Sequence, residues 1–301
     1  MIISFFENNL YRGDDMIKFT KMHGAGNDYV YIDDTQANIK DGPKLAGLIS
    51  NRHFGIGSDG LVLIASSQIA DFKMNMFNYD GSEAEMCGNG IRCVGKFVYD
   101  KGLTNKTTIT VETLAGIKTL DLNVKNGRVK SVRVDMGEPC FDIAKIPVNL
   151  DTQDEFPKAK LQVLDKEFEF HFVSVGNPHA ITIIDNVKDF AVEKYGPHIE
   201  TNSLFPNRTN VEFVELVDKN YIKMRVWERG SGETLACGTG AACSMAACCK
   251  QGLLERTAKV ELLGGILEFY WDEQTNHIYM TGPAVTVFEG QLEEEFLINN
   301  L

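Results

Sequence analysis

The sequence lacks several features that would point to whole classes of protein. None of its apolar runs approaches the roughly 18 residues that a membrane-spanning helix needs. The N-terminus has a short apolar stretch, residues 1–6, but no basic segment, which argues against a secretory signal peptide. Basic residues are outnumbered, 30 Lys and Arg against 42 Asp and Glu, and the net charge of −12 opposes binding to nucleic acid or to an anionic membrane. These absences predict a cytoplasmic protein whose partner is a small molecule.

Nucleotide and cofactor motifs are also missing. No GxxxxGK[ST] segment is present, so ATP binding is not indicated. The GxGxxG match at Gly55–Gly60 has no strand before it, and the apolar run Leu61–Ile64 follows where a helix should begin. We interpret it as a plain turn. No lysine stands in a context that marks it as a pyridoxal anchor, and the sequence therefore implies no cofactor.

Cysteine is present in an odd number, seven, and no two cysteines are spaced as CxxC. This pattern is typical neither of a disulfide framework nor of a zinc site, so we expect reduced thiols and no metal. Five of the seven are expected to be small core residues: Cys93, Cys140, Cys243, Cys248 and Cys249. Cys87 and Cys237 differ from these because each opens a glycine-flanked segment.

What the sequence does contain is an internal repeat. The segments Cys87–Cys93 and Cys237–Cys243 share the pattern CGxGxxC and lie 150 residues apart. The same offset aligns other pairs, namely Gly26-Asn27 with Gly176-Asn177, Phe77 with Trp227, Glu83 with Glu233, and Gly102 with Gly252. One register kept over so long a span indicates two copies of one unit.

The hydrophobic pattern predicts the same elements in both copies. Short runs rich in β-branched and aromatic residues predict strands at 17–22, 29–32, 61–64, 73–77, 107–113 and 129–135, and again at 168–174, 181–184, 211–216 and 221–227. A helical period follows each glycine-flanked cysteine and stops at Gly102 and Gly252. The second of these helices is apolar almost all round, which indicates that it is buried.

We therefore predict an α+β fold of two pseudo-symmetric domains, each a strongly curved, barrel-like mixed or antiparallel sheet wrapped around a central helix. The first domain spans residues 16–136, is completed by residues 281–301, and carries Cys87. The second domain spans residues 137–280 and carries Cys237. Residues 1–15 are expected to be an extension.

A cysteine at the N-terminal end of a helix is a candidate acid–base group. The unpaired N–H groups and the positive end of the helix dipole stabilise anions and favour a thiolate. Two such ends facing each other would hold a carboxylate between two thiols, with one thiol on each face of the neighbouring carbon. One thiolate can then take the α-proton while the other thiol returns a proton. This chemistry is that of a two-base racemase or epimerase.

Long motifs of this chain, in the same order, resemble those of diaminopimelate epimerase. They are Lys21–Asp28, Asn78–Glu83 leading to Cys87–Gly90, Gly176–His179, and Glu228–Thr234 leading to Cys237–Gly240. The likeness extends from Met16 to about Phe296. It implies a pyridoxal-independent isomerase that interconverts LL- and meso-diaminopimelate on the route to lysine and peptidoglycan. The fold of that family, two pseudo-symmetric halves each with a central helix, agrees with the pattern above.

The resemblance also implies roles for individual residues. Cys87 and Cys237 would be the two catalytic acid–base groups, with His179 supporting the first thiol and Glu228 the second. Arg229 would pair with the distal carboxylate of the substrate, helped by the amides of Asn78, Asn177 and Asn210. Four backbone N–H groups would hold the reacting carboxylate, those of Gly88, Asn89, Gly238 and Thr239.

One implied contact is unassigned, and two places depart from the family. Asn27 is similar to a substrate-binding residue, but the resemblance does not say what it touches. Residues 1–15 precede the likeness, and Gly60 stands where some members carry glutamine, so a side-chain contact there must be absent.

Two alternatives remain open at this point. A proline or hydroxyproline racemase would share the fold and the cysteine pair, although proline has no second carboxylate to occupy Arg229 and its three asparagines. A non-catalytic binding protein for acidic amino acids is the other alternative, and solvent deuterium appearing at Cα would exclude it. The sequence leaves the oligomeric state open, with a homodimer as one alternative.

Overall fold

The computed structural model describes residues 16–84 and 86–299. The predicted extension, residues 1–15, lies outside the described residues. The described chain forms two compact units: the first contains the residues up to Val132 and those from Pro283 onward, and the second runs from Arg133 to Gly282. Within the described residues, no helix is long and apolar enough to cross a membrane.

Strands outnumber helices throughout the described chain. Up to residue 137 the elements are β1 (Lys18–Gly24), β2 (Asn27–Asp33), α1 (Gly42–Ser50), β3 (Gly60–Ala65), β4 (Phe72–Asn78), β5 (Glu83–Ala84), α2 (Gly88–Asp100), β6 (Thr108–Thr113), β7 (Gly116–Lys125) and β8 (Arg128–Gly137). Then come β9 (Lys158–Val163), β10 (Lys166–Ser174), β11 (Pro178–Ile183), α3 (Val192–Glu200), β12 (Asn210–Asp218), β13 (Tyr221–Glu228), β14 (Gly232–Thr234), α4 (Gly238–Lys250), β15 (Thr257–Leu262), β16 (Gly265–Trp271), β17 (Ile278–Pro283), β18 (Val285–Gln291) and α5 (Glu294–Asn299).

The strand pairings repeat from one unit to the other. In the first, β1 and β2 are antiparallel, β2 and β3 parallel, β3 and β4 antiparallel, β4 and β6 parallel, and β6 and β7 antiparallel. The second gives the same series with β10, β11, β12, β13, β15 and β16. The register is the same in both units. Tyr29 pairs with Gly60 in the first unit, and the residues 150 positions later, His179 and Asn210, pair in the second. The repeat in the sequence is therefore a repeat of structure.

Each unit has one central helix packed against its sheet. Helix α4 packs against β10, β11, β12, β15 and β16, and it is buried at Gly238 and from Gly240 to Cys248. Helix α2 packs against β1, β2 and β7. The predicted α+β fold class and the burial of the second helix are confirmed. The predicted ends are confirmed too, because Gly102 and Gly252 follow the two helices with φ angles of 75° and 72°, the left-handed conformation that glycine favours.

Smaller predictions have mixed outcomes. Three of the five predicted core cysteines are fully buried, Cys93, Cys243 and Cys248, whereas Cys140 and Cys249 are only partly buried. The GxGxxG match is a turn, as predicted, and β3 begins at its last residue. A Cβ at Gly60 would clash with the carbonyl oxygen of Phe77, so no side chain fits there without a shift of the backbone.

The hydrophobic pattern did not indicate the short helices α1, α3 and α5, nor the strands β5, β7, β9 and β14–β18. Asp41 caps α1 by accepting a hydrogen bond from the backbone N–H of Lys44 at 3.0 Å. No side chain caps the N-terminus of helix α3, and Pro197, a residue that disfavours helix, lies inside it. It is held instead by its apolar face, which packs into a core cluster with Phe168 and Phe213. Tertiary packing, and not a local sequence signal, therefore stabilises this helix.

Candidate active site

The two predicted catalytic cysteines occupy the same position, the N-cap of a 13-residue helix. The Sγ of Cys87 accepts a hydrogen bond from the backbone N–H of Gly90 at 3.3 Å, and the Sγ of Cys237 accepts one from Gly240 at 3.4 Å. Both residues have extended φ and ψ angles, as an N-cap requires. Each sulfur thus lies at the positive end of its helix, where partial negative charge is stabilised.

In the first unit, the thiol of Cys87 belongs to a chain of polar side chains. It lies 3.0 Å from Oδ1 of Asn27, whose Nδ2 donates to the carboxylate of Asp59 at 2.8 Å. Arg52 then bridges the carboxylates of Asp59 and Asp28, at 2.8 and 2.9 Å. The structure thus supplies a contact for Asn27 that the resemblance left unassigned.

A buried guanidinium lies behind the same thiol. Arg92 is fully buried and donates to the carbonyl oxygen of Gly88 at 3.0 Å and to Oδ1 of Asn89 at 2.9 Å. Burial lowers the pKa of Arg92, and the neighbouring thiols of Cys93 and Cys87 oppose that shift. The duplicated position in the second unit is Ala242, so this positive charge is specific to the first thiol.

In the second unit, the thiol of Cys237 has acidic neighbours instead. Burial raises its pKa well above the ordinary value, and the negative charges of Glu228 and Glu212 raise it further. The hydroxyl of Thr239, 3.4 Å from the sulfur, acts in the opposite direction. Glu228 lies at the end of β13 and accepts a hydrogen bond from Thr234. Burial raises the pKa of Glu228 as well.

His179 lies in the same cluster as Cys237. One of its ring nitrogens, the Glu212 carboxylate and the sulfur of Cys237 all lie within 4.8 Å of one another. Nδ1 is 2.7 Å from Oε1 of Glu212, and Nε2 is 3.0 Å from Oδ1 of Asn177. These atom types are also ones that bind a metal ion, but the short hydrogen bond between His179 and Glu212 already accounts for their arrangement. The support that the resemblance assigns to His179 for the thiol of Cys87 stays a prediction.

The predicted substrate-binding groups divide between the two units. In the second, Asn210 accepts a hydrogen bond from the backbone N–H of Arg229 at 2.9 Å and donates to the carbonyl oxygen of Pro178, also at 2.9 Å. The guanidinium of Arg229 is exposed and reaches the carbonyl oxygen of Asn207 at 3.3 Å. Asn177, Gly238 and Thr239 lie beside His179 or Cys237, as described above. Of the eight predicted residues of the second unit, Cys237, Gly238 and Thr239 begin α4, and His179 lies beside Cys237.

The first unit carries the other five predicted residues, which include Cys87 and Asn27. Gly88 and Asn89 are the first two residues of α2, and both are buried. Asn78 ends β4, at the position duplicated by Glu228, and its amide donates to the hydroxyl of Ser82 at 2.9 Å. Asn78 therefore contacts the hairpin that leads to the helix.

Sequence reasoning missed Glu212. Its duplicated counterpart is Val62, and both lie in the middle of a buried strand. The signal in the sequence is a glutamate at a position where the other copy has an apolar residue. The structure shows that this glutamate has no exposed surface, which is rare for a charged residue.

Comparisons with known proteins point to one family. The family model for diaminopimelate epimerase matches residues 19–141 and 171–287. A relative of that name from Methanococcus maripaludis is 58% identical over 279 residues, which cover 92% of this chain and 100% of the relative. Another from Acetivibrio thermocellus is 56% identical over 277 residues, covering 92% and 99%.

Solved structures share the fold at lower identity. A probable proline racemase from Agrobacterium radiobacter, with bound carbonate, gives a TM-score of 0.67 at 15% identity, covering 92% of this chain and 93% of the other. A phenazine biosynthesis protein of the PhzF family from Bacillus anthracis gives 0.65 at 18% identity, covering 93% and 99%. At such low sequence identities, these structures support the fold and nothing further.

Proposed function

Because the chain belongs to the diaminopimelate epimerase family, we propose that it interconverts LL- and meso-diaminopimelate, in lysine and peptidoglycan precursor biosynthesis, with Cys87 and Cys237 as its two acid–base groups. The observation that carries this mechanism is the placement of both thiols at the N-caps of duplicated helices. Inversion of an α-carbon requires that a proton leave one face and another arrive on the opposite face. Two separate groups meet that requirement without a cofactor.

The two thiols have surroundings that favour ionisation to different degrees. The buried guanidinium of Arg92 places a positive charge beside Cys87, an environment that stabilises a thiolate. Cys237 is surrounded by Glu228 and Glu212, which keep the proton on its sulfur. We therefore assign Cys87 as the first base and Cys237 as the first acid.

In the proposed reaction, the Cys87 thiolate removes the α-proton and the electron pair passes into the neighbouring carboxylate. The Cys237 thiol then donates its proton to the opposite face of the carbon. The enzyme is left with a neutral Cys87 and a thiolate at Cys237, which is the starting state for the reverse reaction. Backbone N–H groups of Gly88, Asn89, Gly238 and Thr239 stabilise the negative charge on the carboxylate during transfer.

At the far end of the substrate, the proposal uses Arg229 as the partner of the second carboxylate. Its guanidinium is exposed, and Asn210 fixes its backbone through the 2.9 Å hydrogen bond to its N–H. Asn78 and Asn177 are proposed to contribute amide hydrogen bonds to the same substrate. A bidentate pair of this kind distinguishes diaminopimelate from amino acids with one carboxylate.

We also propose that the two units are the two domains predicted from the sequence, 16–136 with 281–301 and 137–280. The repeated pairings and register support this duplication. A cytoplasmic location and a homodimeric state belong to the same proposal. Light scattering of the purified protein tests the dimer directly.

Proton exchange provides the decisive test of function. Wild-type protein incubated with LL-diaminopimelate in D₂O should form the meso isomer and incorporate deuterium at Cα. The variants Cys87→Ala and Cys237→Ala should lose epimerisation by about 10²-fold or more, as loss of a general acid–base group predicts. Cys249→Ala, a partly buried cysteine at the other end of α4, is the matched control and should keep wild-type turnover. Near-normal turnover by Cys237→Ala would exclude the two-base mechanism.

A further inference from the structure

Glu212 is a buried charged residue that the proposed reaction does not yet use. Its side chain has no exposed surface, and its Oε2 has no hydrogen-bond partner among the described residues. Burial raises the pKa of Glu212, while the His179 ring acts against that shift. A carboxyl group in such a place costs free energy relative to an apolar residue such as the duplicated Val62. We therefore expect the buried carboxyl group of Glu212 to have a role at the candidate active site.

We infer that Glu212 is a positioning residue: it accepts a hydrogen bond from Nδ1–H of His179, fixes that ring, and leaves the lone pair of the neutral ring on Nε2. The inference rests on the proposed function and extends it to a residue that contacts no substrate. The observation behind it is the 2.7 Å contact between Oε1 of Glu212 and Nδ1, with both side chains fully buried.

The hydrogen bond at one ring nitrogen determines what the other can do. When a carboxylate accepts from Nδ1–H, a neutral imidazole carries its lone pair on Nε2. Nε2 lies 3.0 Å from the amide of Asn177. That amide can accept from a protonated Nε2 through its oxygen, or donate to a neutral one through its nitrogen after rotation. The ring can thus gain and lose a proton at Nε2 without losing either partner.

The charge of Glu212 also acts on Cys237. The groups that face this thiol are Glu228 from β13, Glu212 from β12 and His179 from β11, together with Thr239 and Gly240 of its own helix. Space for the carboxylate depends on glycine, because a Cβ at position 240 would lie 2.5 Å from Oε1 of Glu212. Removal of the negative charge at 212 should therefore make Cys237 easier to ionise.

Nuclear magnetic resonance of the wild-type protein labelled with ¹⁵N-histidine tests the positioning role without a substitution at 212. The His179 signals are assigned by their absence from a His179→Gln spectrum. Nδ1 of His179 should carry a proton at every pH at which the protein is folded. A neutral ring protonated only at Nε2 would overturn the inference.

The variant Glu212→Gln tests the same residue by kinetics and thiol reactivity. We expect kcat to fall by about 10²-fold, as misplacement of an acid–base group predicts, while KM stays near the wild-type value. The pH profile of Cys237 alkylation by iodoacetamide, followed by mass spectrometry of its peptide, should move to lower pH. Glu268→Gln is the control, because it removes one exposed charge of the same unit, which pairs with Lys259 at the surface.

A folded Glu212→Gln protein with unchanged kcat and an unchanged Cys237 profile would refute the role. If this variant does not fold, the ¹⁵N spectra of the wild-type protein decide instead. Neither the ¹⁵N spectra nor the Cys237 alkylation profile depends on the identity of the substrate, whereas kcat does. Failure of the wild-type protein to epimerise diaminopimelate would therefore reject the proposed function and leave the test of the His179 hydrogen bond intact.

Discussion

At the residue scale, duplication has given matching positions different chemistry. Val62 and Glu212, Asn78 and Glu228, and Arg92 and Ala242 each stand 150 residues apart. In every pair one member adds or removes a charge near a thiol, so the two cysteines share a backbone position but not an electrostatic environment. In the proposed mechanism, this difference makes one thiol the first base and the other the first acid.

Arg229 gives a prediction about the substrate. If its guanidinium pairs with the distal carboxylate through two parallel hydrogen bonds, Arg229→Lys should lower kcat/KM for diaminopimelate by about ten- to a hundredfold, because an ammonium cannot reproduce the planar fork. Steady-state kinetics with diaminopimelate, lysine and proline measure this. Lysine should be a poor substrate for both proteins, and faster racemisation of proline by the wild-type protein would show the substrate assignment to be wrong.

The third helix position supplies a matched pair of substitutions. A Cβ at Gly240 would lie 2.5 Å from Oε1 of Glu212 and 3.3 Å from the sulfur of Cys237. At the duplicated Gly90, the nearest atom outside the helix is the flexible methyl end of Met74, at 3.2 Å. Gly240→Ala should therefore lower kcat far more than Gly90→Ala, since only the former displaces a buried carboxylate. Equal turnover of the two variants would contradict the prediction.

At the element scale, local signals explain how the two central helices begin and end. Both start at a cysteine whose sulfur accepts an N–H, and both stop at a glycine of positive φ. Helix α3 has no such signals and contains Pro197, so its apolar face must hold it. Loss of core packing should therefore affect α3 before it affects α2 or α4.

The glycine stops can be tested by their effect on stability. Gly252→Ala places a side chain in the left-handed region, where nothing else lies within 4 Å, so its cost of about 1–2 kcal/mol is that of the backbone alone. The midpoint of thermal unfolding should fall while turnover stays unchanged. Gly47 lies inside α1, and a Cβ added there would be 3.9 Å from the nearest atom, the carbonyl oxygen of Tyr79. Gly47→Ala should therefore stabilise the folded protein by about 0.5–1 kcal/mol. A midpoint unaffected by Gly252→Ala would show that the glycine is not needed for this conformation.

At the scale of the whole molecule, buried thiols predict sensitivity to alkali. Burial raises the pKa of Cys93 to about 11 and that of Cys248 to about 12, against about 9 in an unfolded chain. Groups whose pKa is raised on folding stabilise the protein fully below the unfolded pKa, and that stability is lost as pH rises through the folded pKa. Cys93 alone corresponds to about 3 kcal/mol, lost between about pH 9 and pH 11.

Urea unfolding under reducing conditions measures this loss. The midpoint should fall steeply above about pH 9, and Cys93→Ala should fall less steeply over the same range because the ionising thiol is gone. The slope with pH is the readout, since a cavity at position 93 lowers the midpoint equally at every pH. Parallel slopes for the two proteins would refute the assignment to Cys93.

The sequence by itself determined the duplication, the α+β class, ten of the eighteen described strands, and the two central helices with their glycine stops. These features are local or periodic: a helix shows its apolar spacing and its cap, a strand its short β-branched run, and a repeat its constant offset. The placement of Cys87 and Cys237 at helix ends followed from the same signals. Motif resemblance added the family and a list of residues, each tied to a position in the chain.

Only the tertiary structure decided which side chains meet. It brought His179, Glu212 and Cys237 within 4.8 Å and joined Cys87 to Asn27, although these residues are far apart in the chain. Glu212 escaped notice because a strand residue shows its alternation in the sequence but not what packs above it. Its burial depends on the parallel pairing of β11 with β12, a contact between separate segments. Local patterns specify elements, whereas long-range packing specifies the environment of each charge, and this environment decides which thiol gives up its proton.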